Sequence, residues 1–259
     1  MGKRSAKIFN LKGKSTGNII IPPIFKTPSR PDVIKRAVIA IQSHRFQPQG
    51  RDPLAGKRTT AESRGTGLGI ARVSRIKGGQ RAAFISSAVG GRATHPPRAE
   101  KKIRKRIPRK EKQLALRSAI AATASKEMVS SRGHVVEDIP DFPLVVVDDI
   151  EALRTTKEVE EVFIQLGVWP DVYRVKESRK VRAGKGKGRG RRIKQSVGPL
   201  LVVAKNAGAV EAARNIPGVD AVEVDNINAE LLAPGTHSGR LVIWTHSAFE
   251  KVDALFGRR

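Results

Sequence analysis

The chain has 259 residues and no cysteine, which excludes a disulfide scaffold, a thiolate metal site and a Cys nucleophile. Its 50 Lys and Arg stand against 24 Asp and Glu, for a formal charge of +26 and a pI near 11.2. A field of this size repels itself and calls for an anionic partner, usually nucleic acid; a membrane surface fits less well, because the cations do not share a helix face with Trp or Leu opposite.

No apolar run approaches the roughly 18 residues of a membrane span. The N-terminal MGKRSAKIFNLKG is cationic but lacks an apolar core segment, so no signal peptide is expected. Ala6 stands where a myristoylation motif needs Ser or Thr. Residues 7–9 and 18–21 read as short strands, followed by a PPIFKTP loop. A helix then starts near Pro31, whose ring suits the first helical position, with Asp32 at the positive end of the dipole. Val33, Ile34, Ala37, Val38 and Ile41 recur at helical spacing up to about His44. A second helix is predicted over KEKQLALRSAIAATASKEMVSSRG, with Leu116, Ile120, Ala124 and Met128 as its ridge and Gly133 as its cap.

Between these helices, Arg45 to Lys112 holds 19 Lys and Arg against 4 Asp and Glu. Gly and Pro punctuate it throughout and neither regular period persists. Such a segment buries too little apolar surface to offset the entropy of ordering, so it is disordered alone or held by a polyanion. Its tethering at both ends favours the polyanion. Arg outnumbers Lys 12 to 7, which suits bidentate phosphate contacts and stacking. Phe46 and Phe84 are its only aromatics, so recognition of folded RNA through backbone and shape is expected rather than base stacking.

After Val135 strands and helices alternate. PLVVVDD is a buried strand, Thr155 and Glu158 form a capping box, and Val159, Val162, Phe163 and Leu166 make the inner face of a helix stopped by Gly167. VYRVK reads as a strand. PLLVVAKN, AVEAARNIPG and DAVEVDN read as strand, helix and strand, INAELLAPG as a short helix and RLVIWTH as a strand. Ser247 and Glu250 suggest a second capping box, with Ala248, Val252, Leu255 and Phe256 facing inward. This alternation implies a mainly parallel sheet with covering helices, which the two earlier helices could join. Arg179 to Lys194, with 9 basic residues, no acidic one and four glycines, interrupts the pattern where a helix would be expected.

Catalytic motifs are weak. RGTGLG, Arg64 to Gly69, resembles a dinucleotide fingerprint on paper but lacks the strand before it and the helix after it. Asp148 and Asp149 end a predicted strand, where Mg²⁺-binding carboxylates can sit, but more often such residues simply face solvent. His44, His95, His134, His237 and His246 show no metal-ligand spacing, and GTHSG is not a nucleophile elbow.

RGTGLGIARVSRIKGG, followed by SSAVGGRATHPP and EKKIRKRIPRKEK, resembles the universal large-subunit ribosomal protein L-four family in its archaeal form, and the flanking elements follow that family's order. The resemblance implies an α/β body on the solvent side of the large subunit. It also implies a loop crossing rRNA to the wall of the nascent-peptide exit tunnel, with its tip within Gly67 to Ser87 and with Arg72, Arg75, Lys77 and Arg81 nearest the tunnel. The 66 residues of 45–110, going out and back, reach at most roughly 110 Å at about 3.3 Å per residue.

The expected fold class is therefore α/β: a mainly parallel sheet with covering helices in a Rossmann-like three-layer body, plus a long extended basic loop. Residues 1–44 and 111–259 form the body, 45–110 the rRNA-binding and tunnel loop, and 178–197 a second basic loop within the body. The expected rRNA-binding residues are Arg45, Arg51, Lys57, Arg58, Arg64, Arg72, Arg75, Lys77, Arg81, Arg92, Arg98, Lys101, Lys102, Arg104, Lys105, Arg106 and Arg109, with Arg182, Lys185, Lys187, Arg189, Arg191 and Arg192 in the second loop. The expected partners are large-subunit rRNA, neighbouring ribosomal proteins and the nascent polypeptide in the cytoplasm, with no membrane, homo-oligomer, metal, cofactor or catalysis. The alternatives are a free RNA chaperone or regulator, and a Mg²⁺-dependent enzyme using Asp148 and Asp149.

Overall fold

In a computed structural model that describes residues 5–257, the chain divides into two units, one of residues 5–42 with 106–257 and the other Ser43–Lys105. The first unit begins with β1 (Ser5–Phe9) and β2 (Ser15–Ile20), then a single 3-10 turn over Pro23–Lys26 and α1 (Pro31–Ser43). It resumes with α2 (Arg109–Ala122), α3 (Lys126–Ser131), β3 (Leu144–Val146), α4 (Thr156–Gln165) and α5 (Trp169–Glu177). A small hairpin, β4 (Lys180–Val181) and β5 (Ile193–Lys194), precedes β6 (Leu200–Val203), α6 (Ala209–Arg214) and β7 (Asp220–Glu223). The chain closes with α7 (Ala229–Leu232), β8 (Val242–Thr245) and α8 (His246–Phe256).

Six strands form one sheet in the order β2-β1-β3-β8-β6-β7, with β1–β2 antiparallel and every other pairing parallel. The fold is thus mixed α/β on a mostly parallel sheet. Every residue of β3, β6 and β8 is buried, as uninterrupted apolar runs in a doubly covered sheet require. Successive residues alternate between two cores. Val145, Leu200, Val202, Val242 and Trp244 face α1, α2, α7 and α8, meeting Ile34, Val38, Ala119, Leu232 and Phe249. Leu144, Val146, Leu201, Val203 and Ile243 face α3 to α6, meeting Val129, Phe163, Val172 and Ala213. Phe25, Trp244 and Phe249 make an aromatic triad with ring centroids 4.9 to 6.2 Å apart. The helices that bracket the basic segment therefore cover the same sheet.

Several sequence expectations need correction. VYRVK is not a strand but part of α5: Pro170 and Asp171 occupy the first turn, and Val172 and Val175 are buried at i,i+3 while Tyr173 is exposed. The long helix predicted after the basic segment is two. Thr123 turns its hydroxyl back onto the Ile120 carbonyl at 2.7 Å, α2 ends, and Ser125 caps α3 through the Met128 N–H. The PPIFKTP loop contains a 3-10 turn that buries Ile24 and Phe25. The cap of α8 is Thr245, not Ser247; Glu250 lies near His246 instead, and Leu255 is exposed. The Thr155–Glu158 capping box forms as predicted.

Burial forces one polar network into the body. Asp171, fully buried, accepts from His134 Nδ1 at 2.9 Å, the Val135 N–H at 3.0 Å and Arg174 Nε at 2.9 Å. Burial pushes the Asp171 carboxyl up, but His134, Arg174 and the amide overcome it and hold it below its ordinary value. Burial also pushes His134 down, and this outweighs the pull of Asp171, so the pair at neutral pH is a hydrogen bond to a neutral ring rather than an ion pair. A histidine depressed on folding stabilises fully above its unfolded value, near 6.5, and that contribution is lost as pH falls through the window below it. Thermal midpoints measured from pH 7 to 5.5 should fall in the wild type and fall less steeply in His134→Gln; equal slopes would exclude His134 as the source.

Candidate nucleic-acid interface

Ser43–Lys105 carries 15 Lys and Arg against 3 carboxylates. Two of those carboxylates are engaged within the segment: Asp52 accepts from Arg58, which holds it below its ordinary value, and Glu62 lies 3.8 Å from Lys77. Nearly all of the positive charge is left for an outside anion.

The segment is largely irregular but not unstructured. At its root the Lys105 N–H donates to Ser43 Oγ at 2.9 Å, and His44 Nε2 lies 3.2 Å from the Lys105 carbonyl. Farther out, the Arg51 N–H donates to the Pro97 carbonyl at 3.3 Å and Gly50 packs on Ala99. Gly56 meets Gly91 so closely that a β-carbon on Gly56 would lie 2.5 Å from the Gly91 carbonyl. A β-carbon on Gly91 would lie 1.7 Å from the Ile85 carbonyl oxygen. Only glycine permits this crossing. The two arms thus run side by side, in opposite directions, from 43/105 to 56/91.

Beyond the crossing, Glu62 and Arg75 exchange two main-chain hydrogen bonds of 3.0 Å. Ala83 donates to Ser74 and Ile76 to Arg81, closing a turn around Gly78. Arg75 Nη1 donates to the Gln80 carbonyl at 2.6 Å and Arg64 Nη2 to the Gly79 carbonyl at 2.8 Å. Arg92 lies over the Phe84 ring at 5.6 Å from its centroid. The sequence reading missed this internal order, because single bridges leave no periodic signal.

The predicted cations sort accordingly. Arg45, Arg51, Lys57, Arg58, Arg98, Lys101, Lys102, Arg104 and Lys105 lie exposed along the arms. Arg64, Arg72, Arg75, Lys77 and Arg81 come together at the distal turn, where Arg75 is half-buried in bracing it and Arg72 and Arg81 are exposed. Arg92 is half-buried against Phe84. Arg106 and Arg109 belong to the first unit and are exposed there. So does the β4–β5 hairpin, where Lys185, Lys187, Arg189, Arg191 and Arg192 are exposed while Arg182 Nε donates to the Arg191 carbonyl at 3.0 Å.

Other cations of the body serve its packing. Arg240, completely buried, donates to the Gly198, Pro199 and Leu231 carbonyls and to Asp220. Arg132 donates to the Pro234 and His237 carbonyls; burial and the neighbouring Arg240 and Arg174 push it down to about 10, still cationic at neutral pH.

The carboxyl-terminal edge of the sheet, where α/β enzymes bind ligands, is closed by carboxylates tied to protein groups. Asp148 accepts from the Ser247 N–H at 2.8 Å and from its hydroxyl at 2.5 Å, satisfying a first-turn N–H of α8 beside the Thr245 cap. Glu151 accepts from the Ala204 and Lys205 N–H groups and from Thr245 Oγ1, joining the ends of β6 and β8. Asp149 is exposed. Among the described residues no three His, Asp or Glu gather as a metal site.

The family model for the ribosomal protein L4/L1 family matches residues 19–255, the basic segment and hairpin included. The chain belongs to that family. As a member, it is 55% identical to the large ribosomal subunit protein uL4 of Methanosphaera stadtmanae over 249 residues, 96% of each chain. It is 52% identical to that of Archaeoglobus fulgidus, over 95% of this chain and 96% of the relative. It is 48% identical to that of Saccharolobus islandicus strain L.S.2.15, over 99% and 97%. The resemblance drawn from the basic segment and the archaeal form both hold across the chain, and the family's role is structural, not enzymatic.

Two outcomes follow from this geometry. Asp148→Ala should cost about 1 kcal/mol in chemical denaturation, the value of a carboxylate at the positive end of a helix; an unchanged midpoint would free Asp148 for another role. Gly91→Ala should speed tryptic cleavage within 43–105 on the order of tenfold, because the crossing must open. Gly79→Ala, where a β-carbon meets nothing closer than 4.0 Å, should leave the rate unchanged.

Proposed function

We propose that this protein is a structural, non-catalytic constituent of the large ribosomal subunit in the cytoplasm. It binds large-subunit rRNA, supports its assembly and sits among neighbouring ribosomal proteins. The observation that carries this reading is family membership across nearly the whole chain, joined to a 43–105 segment whose 15 cations face only 3 carboxylates of its own. The body, in this reading, is a doubly wound, Rossmann-like scaffold, and the basic segment extends from it. Arm cations, from Arg45 and Arg51 to Arg98, Lys101 and Arg104, neutralise rRNA phosphates and make binding steeply salt-dependent. The distal turn within Gly67 to Ser87 lines the nascent-peptide exit tunnel. Arg72, Lys77 and Arg81 are its outward groups, and Arg75 holds the turn that presents them. Arg182 plays the same bracing part in the hairpin, whose other cations make a second rRNA contact.

Cosedimentation tests the first level: the protein should stay with large subunits through moderate salt washes, and quantitative release would sink the ribosomal reading. Site-specific photo-crosslinking tests the second. A crosslinker at Gly78 should label nascent chains in translating ribosomes, whereas one at Lys101 should label rRNA. Labelling of rRNA alone from both positions would remove the tunnel assignment and leave the ribosomal one.

A further inference from the structure

The β4–β5 hairpin has a charge layout that a flat contact does not need. Its tip, Lys185–Arg189, is a turn of 3-10 helix with the sequence KGKGR, entered and left through left-handed Gly184 and Gly190. A 3-10 helix advances one residue per third of a turn, so Lys185, Lys187 and Arg189, spaced two apart, point to three different sides. All three are exposed, and the glycines between them leave the backbone bare. The turn is braced from within. Arg182 Nε donates to the Arg191 carbonyl, the Arg191 N–H donates to the Gly186 carbonyl at 3.1 Å, and a β-carbon on Gly186 would lie 2.9 Å from Arg182 Cδ.

Below the tip, the register sets Lys180 directly opposite Lys194. Like charges facing across a strand pair repel, and a two-stranded hairpin this short is marginal in water. The neighbouring cross-strand pair, Val181 and Ile193, is 55% and 42% exposed, so little apolar burial offsets that repulsion. The hairpin is therefore built for an environment that supplies negative charge on every side.

We infer that the tip of this hairpin inserts between two facing phosphate walls of folded RNA, a groove or helix junction, rather than lying on an RNA surface. The inference rests on the rRNA-binding role proposed above and adds the mode of contact: three cations on three sides meet phosphates from more than one strand. An acidic protein surface would engage one side and leave the others in solvent.

Because the chain has no cysteine, single cysteines report each side separately. Lys185→Cys, Lys187→Cys and Arg189→Cys would each be tested in the full-length protein, free and bound to protein-free large-subunit rRNA, by rate of reaction with a maleimide. All three thiols should react freely in the unbound protein and be protected at least tenfold in the complex. Separately, the triple variant Lys185→Gln, Lys187→Gln, Arg189→Gln should lower the slope of log affinity against log salt by about 2 to 3, at about 0.7 to 0.9 per phosphate contact. Lys157→Gln on α4 should not change it. One thiol left reactive while the others are protected overturns insertion in favour of a one-sided contact. Three reactive thiols with an unchanged slope remove RNA as the partner of the hairpin while leaving the rRNA-binding role intact. Failure of the wild-type protein to bind rRNA overturns both.

Discussion

Burial of the central sheet on both faces is the constraint from which the rest of the molecule follows. β3, β8 and β6 expose nothing, so their alternating side chains must be met by helices above and below. That requirement recruits α1 and α2, which bracket the basic segment, onto the same face as α7 and α8. A core of this kind has no room for a formal charge of +26. Nearly half of the cations, 24 of 50, are gathered in the 43–105 segment and the 179–194 stretch of the β4–β5 hairpin, and all but 3 of the 24 carboxylates lie elsewhere.

Arginine does two kinds of work here. In the body Arg240 and Arg132 end on carbonyl oxygens next to the strand and helix termini, at Gly198, Pro199 and Pro234. In the 43–105 segment and the hairpin, Arg64, Arg75 and Arg182 hold turns by the same chemistry. Charge alone cannot separate the two classes, which is why the bracing arginines read in the sequence only as RNA contacts.

The helices and strands with a strong period or cap were readable in advance: Pro31 opening α1, the Thr155–Glu158 box, the apolar runs of β3, β6 and β8. The failures share a cause. VYRVK carries valines that favour strands, but Pro170 and Asp171 start a helix whose buried valines are three apart, so local context overrode propensity. The break at Thr123 depends on a hydroxyl folding back onto its own helix, which no spacing announces. The buried Asp171 network joins residues 36 and 37 positions apart, and no local pattern in the sequence announces it. The basic segment was legible as charge, and its expected address came from the family resemblance alone. The pairing of its arms was hidden because it runs through glycine contacts and single hydrogen bonds.

The crossing of Gly56 and Gly91 acts as a waist. On its near side the arms meet at 43/105, 50/99 and 51/97, so an insertion there would throw these contacts out of step. On its far side the chain closes on itself through the Glu62–Arg75 exchange and the turn at Gly78. Residues added or lost between that exchange and the waist would change the size of the tip without disturbing the register of the arms. The segment is in this sense modular: its grip and its reach can vary independently, with two glycines marking the seam.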